Sequence, residues 1–365
     1  MTCRGRARAP AAGTICNAFA TGMGAAFAID RHTEATVTLS GSAPDSRAPN
    51  DSSGASELNV VGAVTGAPDA DTRLVERCVS LVVATFGGEG SDIEHGRVET
   101  DSDVAMAAGL KSSSAAANAA VLATLNALGV SITDASDEHA GNAGNLRADD
   151  AGDTADIADE RDADREYVDG DGSVNGTEDR ASASRTGTES EASMTRVEAC
   201  RLGVQAAREV GVTVTGAFDD ASASMLGGAT VTDNADDRLL THDCEFERSV
   251  LVWTPPQKAY SADADVERCR RIAPVIEGVT DLALDGAYER AMTTNGLAYC
   301  TALGYSPEPM IEALADVRGV SLSGTGPSMV AVGERAALEA VKESWSDREG
   351  RTWLTRTNPN GATTA

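Results

Sequence analysis

Apolar and polar positions change rhythm repeatedly along this chain, and each change predicts an element. Ala35 to Leu39 alternates with the two-residue period of a strand, Arg73 to Phe86 reads as a helix, and Arg97 to Val104 as another strand. Ser113 to Leu128 predicts a strong helix. Its alanine-rich run sets Val121, Leu122, Leu125 and Leu128 on one face, a serine cluster offers capping hydroxyls at its start, and Gly129 stops it. Further on, the pattern predicts a helix over Thr195 to Val210, a short β-branched strand at Val212 to Thr215, and strands at Ala229 to Thr232 and Ser249 to Trp253. Helices are expected at Asp263 to Glu277, Leu284 to Leu303 and Pro307 to Asp316. A strand, a glycine loop and a strand follow over Val320 to Val332, with a closing helix at Arg335 to Ser344. Trp253, Trp345 and Trp353 lie beside these patterns and read as core. The blocks mix without strict βαβ alternation, which is an α+β arrangement.

Two stretches break the rhythm. From Ser131 to Thr195 there are 18 acids, five arginines and almost no large apolar residue, so the segment cannot bury enough surface to offset its ordering entropy. It is read as a disordered acidic insertion that separates residues 1–130 from 196–365. Gly41 to Ser56 is a second, shorter polar loop rich in Ser, Asp and Pro.

Composition narrows the function. The 365 residues, 41% of them apolar, suffice for one large or two ordinary domains. Thirty basic residues against 57 acids give a formal charge of −27, which argues against nucleic acid or an anionic membrane as the partner. Only Lys111, Lys258 and Lys342 are lysines. A carboxylate-rich, lysine-poor surface is that of a halophile's cytoplasmic protein, kept hydrated in strong salt that also screens its self-repulsion. Seven cysteines without a Cys-x-x-Cys pair read as reduced core residues, and four scattered histidines have no ligand spacing. Ala11 to Ile29 is mildly apolar after three arginines, but polar residues and glycines interrupt it. No stretch approaches the roughly 20 apolar residues of a membrane span.

Three glycine-rich or serine-rich segments carry the candidate chemistry. The first runs from Ala9 to Asn17 and on to Gly24. The second, Gly109-Leu110-Lys111-Ser112-Ser113-Ser114-Ala115, precedes the strong helix, where free backbone N–H groups, the positive helix end and hydroxyls can hold a polyphosphate and its Mg²⁺. The third, Leu322 to Ser328, sets Gly324-Thr325-Gly326 between two strands, where backbone can approach a ligand closely. No Gly-x-x-x-x-Gly-Lys-Ser/Thr occurs, which excludes a Walker-type P-loop kinase.

In this order and separation the three segments resemble the GHMP kinase superfamily. Gly5 to Ala18, the Gly-Leu-Lys-Ser-Ser-Ser-Ala segment with Asn118-Ala119, Gly216 to Ser224 and Leu322 to Ser328 are similar to the archaeal-type shikimate kinases within it. The resemblance implies a two-domain α+β fold, with an N-terminal ribosomal-protein-S5-like domain and a C-terminal ferredoxin-like domain. It implies ATP- and Mg²⁺-dependent phosphorylation of shikimate, with homoserine or mevalonate kinase as the neighbouring activities. The phosphate loop would comprise Ala108, Gly109, Leu110, Lys111, Ser112, Ser113, Ser114 and Ala115, with Ser113 contacting Mg²⁺, and Gly324, Thr325 and Gly326 would complete the nucleotide site. Thr14, Asn17 and Asn295 are candidates for the acceptor hydroxyls, and Arg6, Arg8 or Arg97 for its carboxylate. The acid that orients or deprotonates the acceptor is Asp220 by the mevalonate-kinase pattern and Asp219 by the homoserine-kinase pattern. The absence of a lysine from the first motif (Ala11-Ala12) follows the latter. Ala105 stands where the family usually has proline, which bears on loop rigidity.

Overall fold

A computed structural model of the chain describes residues 2–41, 58–87, 92–134, 192–260 and 263–365. The part of the acidic insertion between 135 and 191 and nearly all of the Gly41–Ser56 loop lie outside these residues. Every described element belongs to one unit, made of residues 1–140 and 191–365.

The frame is a long antiparallel hairpin, β1 (Thr2–Cys16) and β2 (Met23–Gly41). Only Ala35 to Leu39 of it is predicted as strand from the sequence, although exposed Arg4, Arg6 and Arg8 also alternate with buried Gly5, Ala7 and Ala9. Residues 9–16 are buried on both faces, so no polar face marks them as strand. Register shifts between Pro10 and Ala12 and between Thr14 and Cys16 bend the hairpin. Its outer half, with Ala7, Ala9, Ala35, Val37 and Leu39, packs on α1 (Arg73–Phe86), α2 (Ser112–Leu128), α3 (Arg196–Glu209) and α4 (Phe218–Leu226). Its tip, with Ile15, Cys16, Phe27 and Ile29, enters a second core. β4 (Ile93–Ser102) pairs antiparallel with β2 and parallel with β3 (Asn59–Val64), so β3, α1 and β4 form one crossover unit. β7 (Ala229–Asp233) pairs with the start of β2, and β8 (Arg238–Asp243) with β7.

The second sheet has the order β10–β11–β9–β12, from β9 (Ser249–Thr254), β10 (Gly319–Leu322), β11 (Met329–Gly333) and β12 (Arg351–Arg356), antiparallel throughout. Helices α5 (Val266–Arg270), α6 (Ala273–Leu284), α7 (Tyr288–Leu303) and α8 (Glu308–Ala313) lie between β9 and β10, and α9 (Arg335–Ser346) lies between β11 and β12. A β-α-β-β-α-β order with the first strand beside the third and fourth is the ferredoxin-like arrangement.

Several sequence expectations shift for identifiable reasons. Pro274 at the start of α6 divides the helix expected over Asp263 to Glu277, and Leu284 ends α6 rather than starting α7. Val212 to Thr215 is not a strand; positive φ at Gly211 and Gly216 turns the chain into α4 instead. α9 does not close the chain, because β12 and β13 (Thr363–Thr364) follow, the latter pairing with β1. α2 is buried almost all round from Ser114 to Leu125, not along one stripe. The insertion's edges are ordered as well: β5 (Ser131–Thr133) and β6 (Ser193–Thr195) pair in parallel, and Thr195 caps α3 in a box with Glu198. Trp345 is fully buried as expected, while Trp253 and Trp353 are partly covered.

Candidate active site

Two helix starts and the hairpin tip converge. The loop into α2 turns through positive φ at Ala107 (57°), Gly109 (79°) and Lys111 (62°), and the loop into α4 does so at Gly216 (85°) and Ala217 (53°). Among the described residues four non-glycine positions have positive φ, and three of them, Ala107, Lys111 and Ala217, are in these two loops. Such strain persists where surrounding structure holds it, and it gathers at functional sites. Neither helix has a side-chain cap, so Ser112 to Ser114 sit inside the first turn of α2 and leave its leading N–H groups free, contrary to the capping role expected of them.

The glycine loop into α2 is pinned from several sides. Asp103 N–H donates to His32 O (2.9 Å), Ala259 N–H to Ala107 O (2.9 Å) and Ala12 N–H to Leu110 O (3.2 Å). Ser323 Oγ donates to Gly109 O at 2.8 Å, and a Cβ on Gly109 would stand 2.2 Å from Ser323 O. Glycine there is required both by φ and by this close approach to the third segment. These bonds supply the rigidity that Ala105, exposed in place of a proline, cannot. Ala108, Leu110, Ser114 and Ala115 are buried, Gly109, Lys111 and Ser112 half-buried, and Ser113 exposed; Gly324, Thr325 and Gly326 are buried on the opposite side of the contact.

Thr14, Asn17 and Asn295 join the first and third segments. Gly324 N–H donates to Thr14 Oγ1 (2.8 Å), Asn17 Nδ2 donates to Gly324 O (2.8 Å), and Asn17 N–H donates to Asn295 Oδ1 (2.9 Å). Asn295 Nδ2 donates to Ser321 Oγ, and Tyr299 Oη to Asn17 O. All three are buried with polar atoms committed to protein partners, which gives them a bracing role. Arg6 and Arg97 form exposed pairs with Glu34 and Glu99, and Arg8 bonds Thr363. Arg8 is six residues from Thr14 along β1, roughly 20 Å, so the structure does not bring these arginines to the site. Arg8 lines a separate cavity of about 1470 Å³ that includes none of the site residues, and its arginines Arg196, Arg248, Arg318 and Arg356 are each paired with a carboxylate.

The two aspartates divide sharply. Asp220 stands 2.6 Å from Lys111 Nζ, a nearly buried pair that ties the starts of α4 and α2, with the lysine amine against Gly324. Asp219 is 4% exposed and faces Gly24, where a Cβ would come within 2.5 Å of Oδ2. Burial, and then the charge of Asp220, raise its carboxyl from 3.8 to about 7, against the opposing pull of Lys111 and a hydrogen bond from Asn234. Cys16 is nearby; burial pushes its thiol up to about 12, a Thr280 hydrogen bond opposes this, and Asp219 adds to it. Asn118 of α2 donates to Ala221 O at 2.9 Å and locks the two helices together. Gly24 closes the first glycine segment, but sequence reasoning gave it no role, and it missed Asn234 and Tyr299, which carry no local signal because strand and helix pairing bring them in.

An anion-receptive helix start beside one buried lysine, and a carboxylate whose proton affinity lies near neutrality, can bind a phosphate chain and accept a proton from a hydroxyl. Comparison with known proteins agrees. The family model for the GHMP kinases N terminal domain matches residues 73–158. The chain is 47% identical over 360 residues to the shikimate kinase of Halobacterium salinarum, covering 99% of each. It is 41% identical to that of Methanosarcina mazei, covering 99% of this chain and 97% of the relative. In structure it resembles a homoserine kinase from Cytophaga hutchinsonii (TM-score 0.62, 14% identity, 99% and 97% covered). It also resembles the mevalonate kinase of Methanococcus jannaschii (TM-score 0.58, 12% identity, 98% of each). Those structural likenesses establish the fold alone. Among the described residues, no helix is long and apolar enough to cross a membrane.

Proposed function

We infer that this chain, which belongs to the shikimate kinase family of the GHMP kinases, transfers the terminal phosphoryl group of ATP to a hydroxyl of shikimate. One observation carries the assignment of its machinery. The free N-terminus of α2 and the carboxylates opening α4 face each other across the Lys111–Asp220 pair, with the third glycine segment packed on the loop.

Backbone N–H groups of Ser112 to Ser114 and the Lys111 ammonium bind the phosphate oxygens and offset their charge. Asp219 accepts the proton of the attacking hydroxyl as its oxygen bonds to the γ-phosphorus and the bond to the ADP oxygen breaks. Its raised proton affinity suits that task near neutral pH. Asp220 keeps Lys111 in place. Thr14, Asn17 and Asn295 hold Gly324-Thr325-Gly326 against the phosphate loop, so the nucleotide meets a preformed wall. The exposed Ser113 in an uncapped first turn fits a phosphate-bound Mg²⁺, which takes few protein ligands; when bound, the ion neutralises charge on the phosphates. The carboxylate-rich composition and the five buried free thiols support a reduced cytoplasmic setting, although Cys3 is half-buried and Cys244 exposed rather than in the core.

A coupled ADP-release assay in high salt with shikimate, homoserine and mevalonate tests the reading. Turnover is expected with shikimate alone, and preferred turnover of either other alcohol would overturn it.

A further inference from the structure

We propose that Asn234, in the turn directly after β7, is the positioning residue that aims the Asp219 carboxylate at the acceptor hydroxyl. This rests on Asp219 as the proton acceptor. Asn234 is 2% exposed and makes bonds on every side. Its Nδ2 donates to Asp219 Oδ1 at 2.7 Å, and its Oδ1 accepts from the Asp219 N–H at 3.1 Å. The same Oδ1 accepts from Thr232 Oγ1 at 2.8 Å, and the Asn234 N–H donates to Gly22 O at 3.0 Å. One amide therefore grips both the main chain and the carboxylate of a single residue, and it is itself held by β7 and by the turn between β1 and β2.

The arrangement has a purpose that packing alone does not need. Asp219 opens a helix through the strained Ala217, and its two oxygens differ: Oδ1 is taken by Asn234 and Oδ2 is turned toward Gly24 at the hairpin tip. A donor at Asn234 fixes Oδ1 and so presents Oδ2 as the base, beside the further hydrogen bond that the carboxylate accepts from the Asp220 N–H. The Asp219 main-chain N–H sets the amide's orientation, because it can only donate and so requires Oδ1, and the Thr232 hydroxyl, whose shorter contact is to the same Oδ1, supports it. The charged and titratable groups facing Asp219 are Asp220 on its own helix, Lys111 from α2, Cys16 from β1 and Tyr299 from α7. Lys111, the Asn234 amide and, least, the Asp220 N–H favour the ionised carboxylate, and Lys111 is already paired with Asp220.

The test compares Asn234→Asp and Thr232→Val with the parent in high salt, reading kcat, KM for ATP and the pH profile of kcat with shikimate. Asn234→Asp retains the acceptor oxygen for the Asp219 N–H but replaces the donor by oxygen. We expect kcat at neutral pH to fall about tenfold or more and the acid limb to move up by about one unit, tenfold in the ionised fraction per unit. KM for ATP should change little. Thr232→Val, nearly isosteric, should move the limb the same way by less, and it carries the test if Asn234→Asp does not fold. An unmoved limb with parental kcat in both folded variants overturns the proposal. Asp219→Asn is run alongside: if it keeps its turnover the reading of Asp219 has failed, whereas if it is inactive and the limb of the Asn234 variant is unmoved, the positioning role alone has failed.

Discussion

Replacing Asp219 by asparagine should slow phosphoryl transfer by orders of magnitude and, above neutral pH, make the fold more stable. The carboxyl is 4% exposed, and its proton affinity in the folded chain is raised from 3.8 to about 7, mainly by burial and then by Asp220. A group whose folded pKa lies above its unfolded one contributes stability that is complete below the unfolded value and is lost as pH rises through the folded value. Between about pH 4 and 7 the parent therefore loses stability. A gap of about three units corresponds to about 4 kcal/mol against the ionised form once pH exceeds 7. Asparagine cannot ionise and avoids that penalty, though its amide matches Asn234 less well, so part of the gain is given back. At roughly 2–4 °C per kcal/mol, the variant's Tm should exceed the parent's by several degrees at pH 8 and converge with it toward pH 4. On the proton-acceptor role proposed for Asp219, its replacement should lower kcat roughly 10²–10⁴-fold. Melting curves from pH 4 to 8 and turnover with shikimate, both in high salt, provide the two readouts. Parallel Tm profiles for the two proteins, or a kcat within tenfold of the parent, would refute the reasoning.

Asp220→Asn should behave oppositely: it leaves Lys111 buried without its partner, so Tm falls and KM for ATP rises more than kcat drops, as thermal melts and ATP titration would show. Residues 135–191 should be removable with the fold and most activity kept. Because β5 and β6 run parallel, the linker from Asp134 to Ala192 must travel back along a three-residue strand and across to its neighbour, so at least about five residues are needed. Joining Val130 directly to Arg196 deletes both strands and the α3 cap, and should melt lower in the same assay. With a formal charge of −27, Tm should climb steadily from low to multimolar KCl, and a flat response would remove the electrostatic argument.

Much of this protein was written in its local pattern. The helix at Arg73 to Phe86, the helix ending at Gly129 and the strand–glycine loop–strand near Val320 all follow from periodicity and stop signals, because these act over a few residues. The glycine segments and the Asp219-Asp220 pair were legible for the same reason: their chemistry is carried by neighbours in the chain. Tertiary structure decided the rest. β1 has no alternation to read from residue 9 onward because both its faces are buried, and β3, β8 and β13 are strands by virtue of the partners beside them. Adjacent aspartates look alike in sequence, yet Phe218–Leu226 turns one toward Lys111 and the other toward Gly24 and Asn234, since consecutive residues on a helix point about 100° apart. Thr14, Asn17 and Asn295 read as free polar groups until strand and helix packing supplied their partners. Asn234 bears on Asp219 only because β7 pairs with the start of β2 and returns the chain to the hairpin tip, a long-range contact that no local spacing encodes.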